Sequence, residues 1–205
     1  VNDGDVVLPT TVGAAEGVDN ERIGTLMVTS GSGTITLGAN DAGAGTVTYH
    51  TSGITYGSTV LLTDATVQNT NGGNFDASAA TVVSQTGTGG PHSLTINTFD
   101  SDAAADAAGD VLLSTFSNTG GNDFVASVTI DAEDATAQGD LRLSGTIALD
   151  PGTTSGFSFD GGDVIVVANA SIDTEDGDDE SAGAINLNVD CSSTIFADVD
   201  NLTLS

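Results

Sequence analysis

The sequence predicts an all-β protein, and a solenoid of stacked coils is the architecture that it favours. Gly, Thr, Ser, Asn, Asp and Val dominate the composition, and these residues are typical of short strands and tight turns. Segments with helical spacing of apolar residues are scarce. In the C-terminal half, short apolar runs recur at a nearly constant step, which predicts coils of about 18 residues. These runs begin at Leu94, Val111, Val128, Ile147, Val164, Ile185 and Leu202.

Residues 1–24 are predicted to form an extended N-terminal arm or cap strand. The apolar run Val6, Val7 and Leu8 is stopped by Pro9, which lacks an N–H and belongs at the edge of a sheet. One interpretation is an ordinary first strand. The other is a strand that this chain donates to a neighbouring subunit.

Residues 25–205 are predicted to form a single all-β domain, with the regular solenoid in residues 90–205. From Ile35 to Val47 and from Val47 to Val60 the step shortens to about 12 residues, which is typical of hairpins in a sandwich or barrel. Residues 25–90 are therefore either a distinct cap or a shorter-coiled start of the solenoid. A β-sandwich or jelly roll with a donated N-terminal strand is the alternative fold.

The charge balance is strongly acidic. There are 29 Asp and Glu residues against two bases, Arg22 and Arg142, and the net charge is −27. Nucleic acids and anionic membranes require a basic surface, so we expect neither as a partner. No apolar run approaches the ~18 residues that a membrane span requires. We expect a secreted or cell-surface protein in a setting where salt or divalent cations screen the repulsion. The single cysteine, Cys191, excludes an intramolecular disulfide.

The densest acidic cluster is a candidate Ca²⁺ site, because Ca²⁺ takes six to eight oxygen ligands and tolerates irregular loops. The spacing does not match an EF-hand, and a solvated loop is the competing interpretation. The candidate ligands are Asp173, Glu175, Asp176, Asp178, Asp179 and Glu180. No other cofactor is predicted.

Two further sets of residues are of interest as sites. Asn169 and Asn201 begin Asn-X-Ser/Thr triplets and are candidate glycosylation sites. His50 and His92 lie far apart in the sequence with no nucleophile pattern nearby, so we expect surface or turn histidines. With no lysine, no tryptophan and only two bases, the chain offers little for an acidic polysaccharide substrate, and no catalytic residue is predicted.

Residues 140–150 (DLRLSGTIALD) and 162–190 (GDVIVVANASIDTEDGDDESAGAINLNVD) resemble known repeats. They are similar to the right-handed parallel β-helical repeats of filamentous-haemagglutinin-type and other large bacterial or archaeal cell-surface proteins. The resemblance covers about residues 90–205 and is one of pattern. It implies a secreted, fibrous protein that works in adhesion or in the architecture of the cell surface.

These observations predict a non-enzymatic extracellular structural protein that assembles with copies of itself into a filament or surface layer through β-strand pairing. The alternative is a cell-surface adhesin module that binds a glycan or a protein ligand. A polysaccharide-active β-helical enzyme is a third, less favoured hypothesis.

Overall fold

Within the residues that it describes, the computed structural model contains twenty β-strands and no helix. It describes residues 4–13, 23–38, 46–85, 91–99, 107–118, 123–135, 137–150, 156–175, 182–189, 195–197 and 201–205. The all-β prediction is therefore confirmed.

The strands are short. They are β1 (Val6–Leu8), β2 (Thr11–Val12), β3 (Leu26–Val28), β4 (Thr34–Leu37), β5 (Val47–His50), β6 (Ile54–Tyr56), β7 (Thr59–Leu62), β8 (Thr66–Asn69), β9 (Phe75–Ser84), β10 (Ser93–Asn97), β11 (Val111–Phe116), β12 (Ser127–Asp131), β13 (Leu141–Leu143), β14 (Thr146–Ala148), β15 (Phe157–Gly161), β16 (Val164–Val166), β17 (Ala170–Asp173), β18 (Ile185–Val189), β19 (Ile195–Ala197) and β20 (Leu202–Leu204).

The strands pair in three parallel ladders, to which we give numbers. Ladder 1 runs β3, β6, β9, β11, β13, β16, β19, and ladder 2 runs β1, β4, β7, β9, β11, β14, β17, β20. The long strands β9 and β11 belong to both, because their first halves pair in ladder 1 and their second halves in ladder 2. Ladder 3 runs β2, β5, β8, β10, β12, β15, β18. Every pairing between these strands is parallel.

Alternation along each strand builds the core. In β10 the buried residues are Leu94 and Ile96, and the residues between and beside them are partly exposed. Leu94 pairs with Val128 of β12, which in turn pairs with Phe157 of β15. Because paired residues point to the same face of a sheet, one buried position per strand becomes a continuous column of buried side chains. This column is apolar from β10 to β15, and on the other side of β10 it continues through the buried Thr66 of β8.

Glycines allow the chain to turn sharply from ladder 3 into ladder 1. A Cβ atom on Gly109 would lie 2.1 Å from the carbonyl oxygen of Gly73, and one on Gly139 would lie 2.0 Å from that of Gly109. Both distances are far shorter than any real contact of a Cβ. Successive turns therefore stack backbone on backbone, and only glycine fits there.

The predicted coil length is wrong. Leu94 lies in ladder 3 and pairs with Val128, almost twice as far along the chain as the prediction requires. Val111 lies in ladder 1 and pairs with Leu141, which is also well beyond the predicted distance. The step from Leu94 to Val111 thus leads from ladder 3 to ladder 1. It is only part of the distance that the chain covers before it comes back to the same ladder.

The short steps in residues 25–90, which are typical of hairpins, do not form hairpins here. Ile35 pairs with Val60 in ladder 2, and Val47 pairs with Thr66 in ladder 3, both in parallel. The short steps from Ile35 to Val47 and on to Val60 take the chain from ladder 2 to ladder 3 and back. The described strands accordingly lack the antiparallel pairs of a hairpin-built sandwich.

Candidate functional site

Both ends of the three ladders present strands that pair on one side only within the described part of the chain. At one end these strands are β1, β2 and β3, and at the other they are β18, β19 and β20. The apolar residues that point into the core are fully buried in the middle of the molecule but only partly buried at the ends. These half-buried residues are Val6, Leu8, Val12 and Leu26 at the first end, and Ile185, Leu187, Val189 and Leu202 at the second.

The strand β1 contains the three residues predicted to cross a subunit boundary. Val6, Val7 and Leu8 pair in parallel with Ile35, Thr36 and Leu37 of the same chain. The other side of β1 has no partner among the described strands. The predicted strand therefore exists, and it forms an edge of ladder 2.

The hydrogen-bond pattern shows which backbone groups of β1 face outward. The N–H of Gly38 donates to the carbonyl oxygen of Leu8 at 3.2 Å, so the backbone groups of Leu8 point towards β4. In a parallel pair, residues that face one neighbour alternate with residues that face the other. The N–H and C=O of Val7 therefore point away from β4, and the Val7 side chain is 50% exposed.

The strand β20 forms the corresponding edge at the other end of ladder 2. The N–H of Ser205 donates to the carbonyl oxygen of Ile172 at 3.0 Å, and the N–H of Ala170 donates to that of Asn201 at 2.9 Å. By the same alternation, the backbone groups of Leu202 and Leu204 point away from β17. The Leu204 side chain is 49% exposed.

The predicted Ca²⁺ site lies mostly outside the described residues. Asp176, Asp178, Asp179 and Glu180 belong to that undescribed part. Asp173 ends β17, and its Oδ1 accepts a hydrogen bond from the N–H of Glu175 at 3.1 Å. Within the described residues, no group of three or more His, Cys, Asp or Glu side chains could hold a metal ion. Cys191 likewise falls outside the described part.

The two candidate glycosylation residues stack on neighbouring strands. Asn169 precedes β17 and Asn201 precedes β20. The Oδ1 of Asn169 accepts hydrogen bonds from the backbone N–H of Asn201 at 3.1 Å and from its Nδ2 at 3.4 Å, and both bonds are exposed. The sequence alone did not indicate that these triplets lie side by side.

A ladder of aspartates at the turn before ladder 1, which we call the corner ladder, was not predicted as a site. Asp140 donates its N–H to the Oδ1 of Asp110 at 3.0 Å, and Asp163 donates its N–H to the Oδ1 of Asp140 at 3.1 Å. Arg142 lies beside them, with Nε 3.2 Å from the Oδ2 of Asp110 and Nη2 3.6 Å from the Oδ2 of Asp140. Gly-Asp pairs that recur before the strands, such as Gly162-Asp163, are the sequence feature that could have identified these turns.

Both histidines lie in ladder 3 or next to it. His50 ends β5, and its Nδ1 lies 3.4 Å from the Nδ2 of Asn69. His92 precedes β10 and donates its backbone N–H to the Oγ of Ser84 at 2.8 Å. Burial lowers the pKa of His92, although the charges of Asp64 and Asp123 partly oppose this effect. Burial therefore favours the neutral imidazole, and both histidines are more buried than we expected for surface residues.

Comparison with known proteins adds no family to this description. No protein-family model, curated protein or solved structure matches the chain. The described residues also include no helix that could span a bilayer.

Proposed function

We propose that this chain is a non-enzymatic extracellular structural protein whose copies join end to end into a filament or surface layer through β-strand pairing. The observation that carries the proposal is the pair of ladder ends that no further described strand covers, where core-facing apolar side chains remain partly exposed. Strand edges of this kind are templates for a further strand.

The fold that we propose is a right-handed parallel β-helix with long, variable coils. The number of residues between paired positions of ladder 3 is small from Val47 to Thr66 and almost twice as large from Thr11 to Thr48. A connection between parallel strands of one sheet is almost always right-handed, which supports the proposed hand. Stacked coils share one core, so a coil at either end gains from a neighbour.

The joint that fits these edges places β20 of one copy beside β1 of the next. The core-facing residues of ladder 2 form one column of side chains that includes Val6, Ile35 and Ile172. Leu204, which pairs with Ile172, is the last residue of this column. Pairing Leu204 with Val6 of a second copy continues this column and covers both half-exposed ends. In this register the outward N–H of Val7 donates to the outward C=O of Leu204.

This joint is heterologous, because the two surfaces that meet are different. A heterologous contact that does not close into a ring propagates without limit, which produces a filament. The burial of apolar area at each joint supplies the free energy of association, at about 25 cal/mol per Å².

The net charge of −27 on each copy opposes the joint. Salt shortens the range of this repulsion, because the Debye length is about 10 Å at 0.1 M and about 3 Å at 1 M. We therefore expect assembly in molar salt, or in the presence of Ca²⁺ bound by acidic clusters, and dissociation at low salt after chelation. The same acidity is the basis for proposing an extracellular location.

Electron microscopy and sedimentation velocity test the proposal together. The purified chain is examined at low and at molar salt, each with Ca²⁺ and with a chelator. Filaments or sheets at high salt support the proposal. A monomer under all four conditions contradicts it.

A proline at position 7 tests the joint itself. Val7→Pro removes the outward N–H of β1, while the inward hydrogen bonds to β4 through Leu8 stay in place. We expect the critical concentration for assembly to rise at least about tenfold, from the loss of one hydrogen bond and the strand distortion. Val7→Thr keeps the N–H and the β-branched shape, so it is the matched control and should assemble. Equal assembly of both variants, with unchanged melting temperatures, would place the joint elsewhere.

A further inference from the structure

The outward side of ladder 3 is a polar surface that the proposed joint does not use. From β5 to β18 its middle row has one side chain per strand, and the neighbours in this row are paired in register. The row consists of Thr48, Val67, Thr95, Thr129, Ser158 and Asn186. All six are partly or fully exposed. We call this surface the ladder-3 face.

A second row on the ladder-3 face lies two positions further along each strand. It consists of the buried His50 and of Asn69, Asn97, Asp131, Asp160 and Asn188, which are partly or fully exposed. Amides, hydroxyls and carboxylates thus repeat along the stack at the spacing of neighbouring strands, about 4.8 Å. The surface offers both donors and acceptors along its length.

The hydrogen bonds within this second row leave capacity for a ligand. Asn97 donates from Nδ2 to the Oδ1 of Asn69 at 2.8 Å, and Asn188 donates from Nδ2 to the Oδ1 of Asp160 at 2.7 Å. Each of these bonds uses one N–H of an amide that has two, and the amide oxygen is a further acceptor. Neighbouring side chains are oriented by these bonds, so less conformational entropy is lost when a ligand binds.

The charge on this surface restricts what can bind. The two rows contain no lysine or arginine, and the half that runs from β5 to β10 contains no carboxylate. On a chain of net charge −27, a polyanion would be repelled. An uncharged, hydroxyl-rich ligand meets no such repulsion and matches the donors and acceptors.

We propose that the ladder-3 face binds an extended, uncharged polysaccharide that lies along the stack of strands. The spacing of the strands is close to the length of one sugar unit in an extended β-1,4-linked chain, so successive sugars meet successive strands, each of which carries a polar side chain in at least one of the two rows. This function goes beyond self-assembly and does not depend on it, because the proposed joint pairs β20 with β1 in ladder 2, whereas the ladder-3 face is the outward side of ladder 3.

The composition of the face also determines the strength of binding. The two rows contain no phenylalanine, tyrosine or tryptophan. Four of the seven phenylalanines of the chain, Phe75, Phe116, Phe157 and Phe159, are buried, and Phe99 and Phe124 are partly exposed outside the two rows. Binding therefore relies on hydrogen bonds exchanged with water, which contribute little per contact. Affinity is low for a short oligosaccharide and increases steeply with chain length, as for any multivalent ligand.

Affinity electrophoresis tests this proposal at low salt, where the chain is expected to be monomeric. The probes are hydroxyethylcellulose and glucomannan as neutral polymers, alginate as a polyanion and chitosan as a polycation. We expect retardation by the neutral polymers, none by alginate, and no competition from added cellobiose. Retardation by chitosan alone would show that the chain binds polymers only through non-specific charge attraction, and this result would overturn the proposal.

A matched pair of double variants assigns the binding to this face. Thr95→Val with Thr129→Val removes two hydroxyls from the middle row but keeps the β-branched shape, and we expect about a tenfold loss of affinity. Thr59→Val with Thr146→Val removes two hydroxyls from the outward side of ladder 2 and should leave the affinity unchanged. Equal losses in both variants contradict the assignment. A change in sedimentation of the ladder-3 variant would show instead that the face joins copies of the chain, which also overturns the proposal.

Discussion

Two pairs of aspartates occupy equivalent neighbouring positions in different parts of the molecule, and their surroundings differ. Asp110 and Asp140 lie in the corner ladder, where Arg142 contacts both carboxylates. Asp131 and Asp160 lie on the ladder-3 face, paired in register between β12 and β15. Arg142 is the only arginine or lysine within the described residues, and its two carboxylate contacts are in the corner ladder.

The hydrogen bonds of the two pairs differ as much as their charges. In the corner ladder the Oδ1 of each aspartate accepts a hydrogen bond from the backbone N–H of the next turn. At the turns, the carboxylates thus take the place that backbone carbonyl groups have within the strands. On the ladder-3 face the backbone is already paired, and Asp160 accepts a side-chain N–H from Asn188.

The comparison indicates that acidity has two separate physical roles in this chain. In the corner ladder a carboxylate is required as an acceptor, and one of the two bases of the chain lies there to offset the repulsion. On the ladder-3 face a carboxylate accepts a hydrogen bond from a neighbouring side chain, and only salt screens its repulsion. Substitutions at the two places should therefore differ in size and in salt dependence.

The largest loss of stability is expected from a side chain at a glycine where successive turns of the corner ladder are in contact. Gly139→Ala places a Cβ 2.0 Å from the carbonyl oxygen of Gly109 and forces the turn that carries Asp140 away from its neighbour. We expect the free energy of unfolding to fall by about 3 kcal/mol. Urea unfolding measures this loss. Gly24→Ala is the control, because a Cβ there meets nothing within 4 Å, and a similar loss in that variant would contradict the steric explanation.

The next effect separates the acceptor role of Asp110 from its charge. Asp110→Ala leaves the N–H of Asp140 without its acceptor and removes one of the two carboxylates beside Arg142, so we expect a loss of about 2 kcal/mol. Asp110→Asn keeps an oxygen in the same place and should lose less than about 1 kcal/mol. Thermal unfolding of both variants provides the test. If alanine and asparagine destabilise equally, the charge rather than the hydrogen bond is what the turn requires.

The sequence predicted the character of the strands and turns, but not which of them meet. Alternation in runs such as Val128–Ile130 identifies strands because apolar and polar residues take opposite faces. The Gly-Asp pairs identify tight turns because glycine and aspartate favour them. Both signals are local, and the structure has strands and turns at these positions.

The distances along the chain could not be predicted, because the connections between the ladders vary in length. Leu141 pairs with Val111 before it and with Val164 after it, and the second separation is clearly shorter than the first. The contact of Arg142 with Asp110 depends on this pairing. Likewise, Val6–Leu8 could be predicted as a strand, but its position at the end of a ladder follows only from the whole set of pairings.

A smaller effect is expected from removing the charge of Arg142. Arg142→Met keeps most of the length of the side chain but leaves Asp110 and Asp140 to repel each other, so we expect a loss of about 1 kcal/mol at low salt. The loss should shrink in molar salt, because the repulsion is then screened. Chemical denaturation with urea at two salt concentrations measures both values. A loss that is independent of salt would assign the role of Arg142 to packing of its side-chain stem.

The smallest effect, of opposite sign, is expected on the ladder-3 face. Asp160→Asn removes the like-charge neighbour of Asp131, while its amide oxygen can still accept from Asn188 and its new N–H can donate to Asp131. Like charges on directly paired residues are destabilising, so we expect a gain of about 0.5 kcal/mol at low salt that declines as salt is added. Asp140→Asn in the corner ladder is the matched substitution, and it should not stabilise, because Arg142 already offsets that charge. Thermal unfolding of the two variants over a salt series decides between them. If both gain equally, Arg142 does not distinguish the two pairs, and the acidity of this chain is balanced by solvent alone in both places.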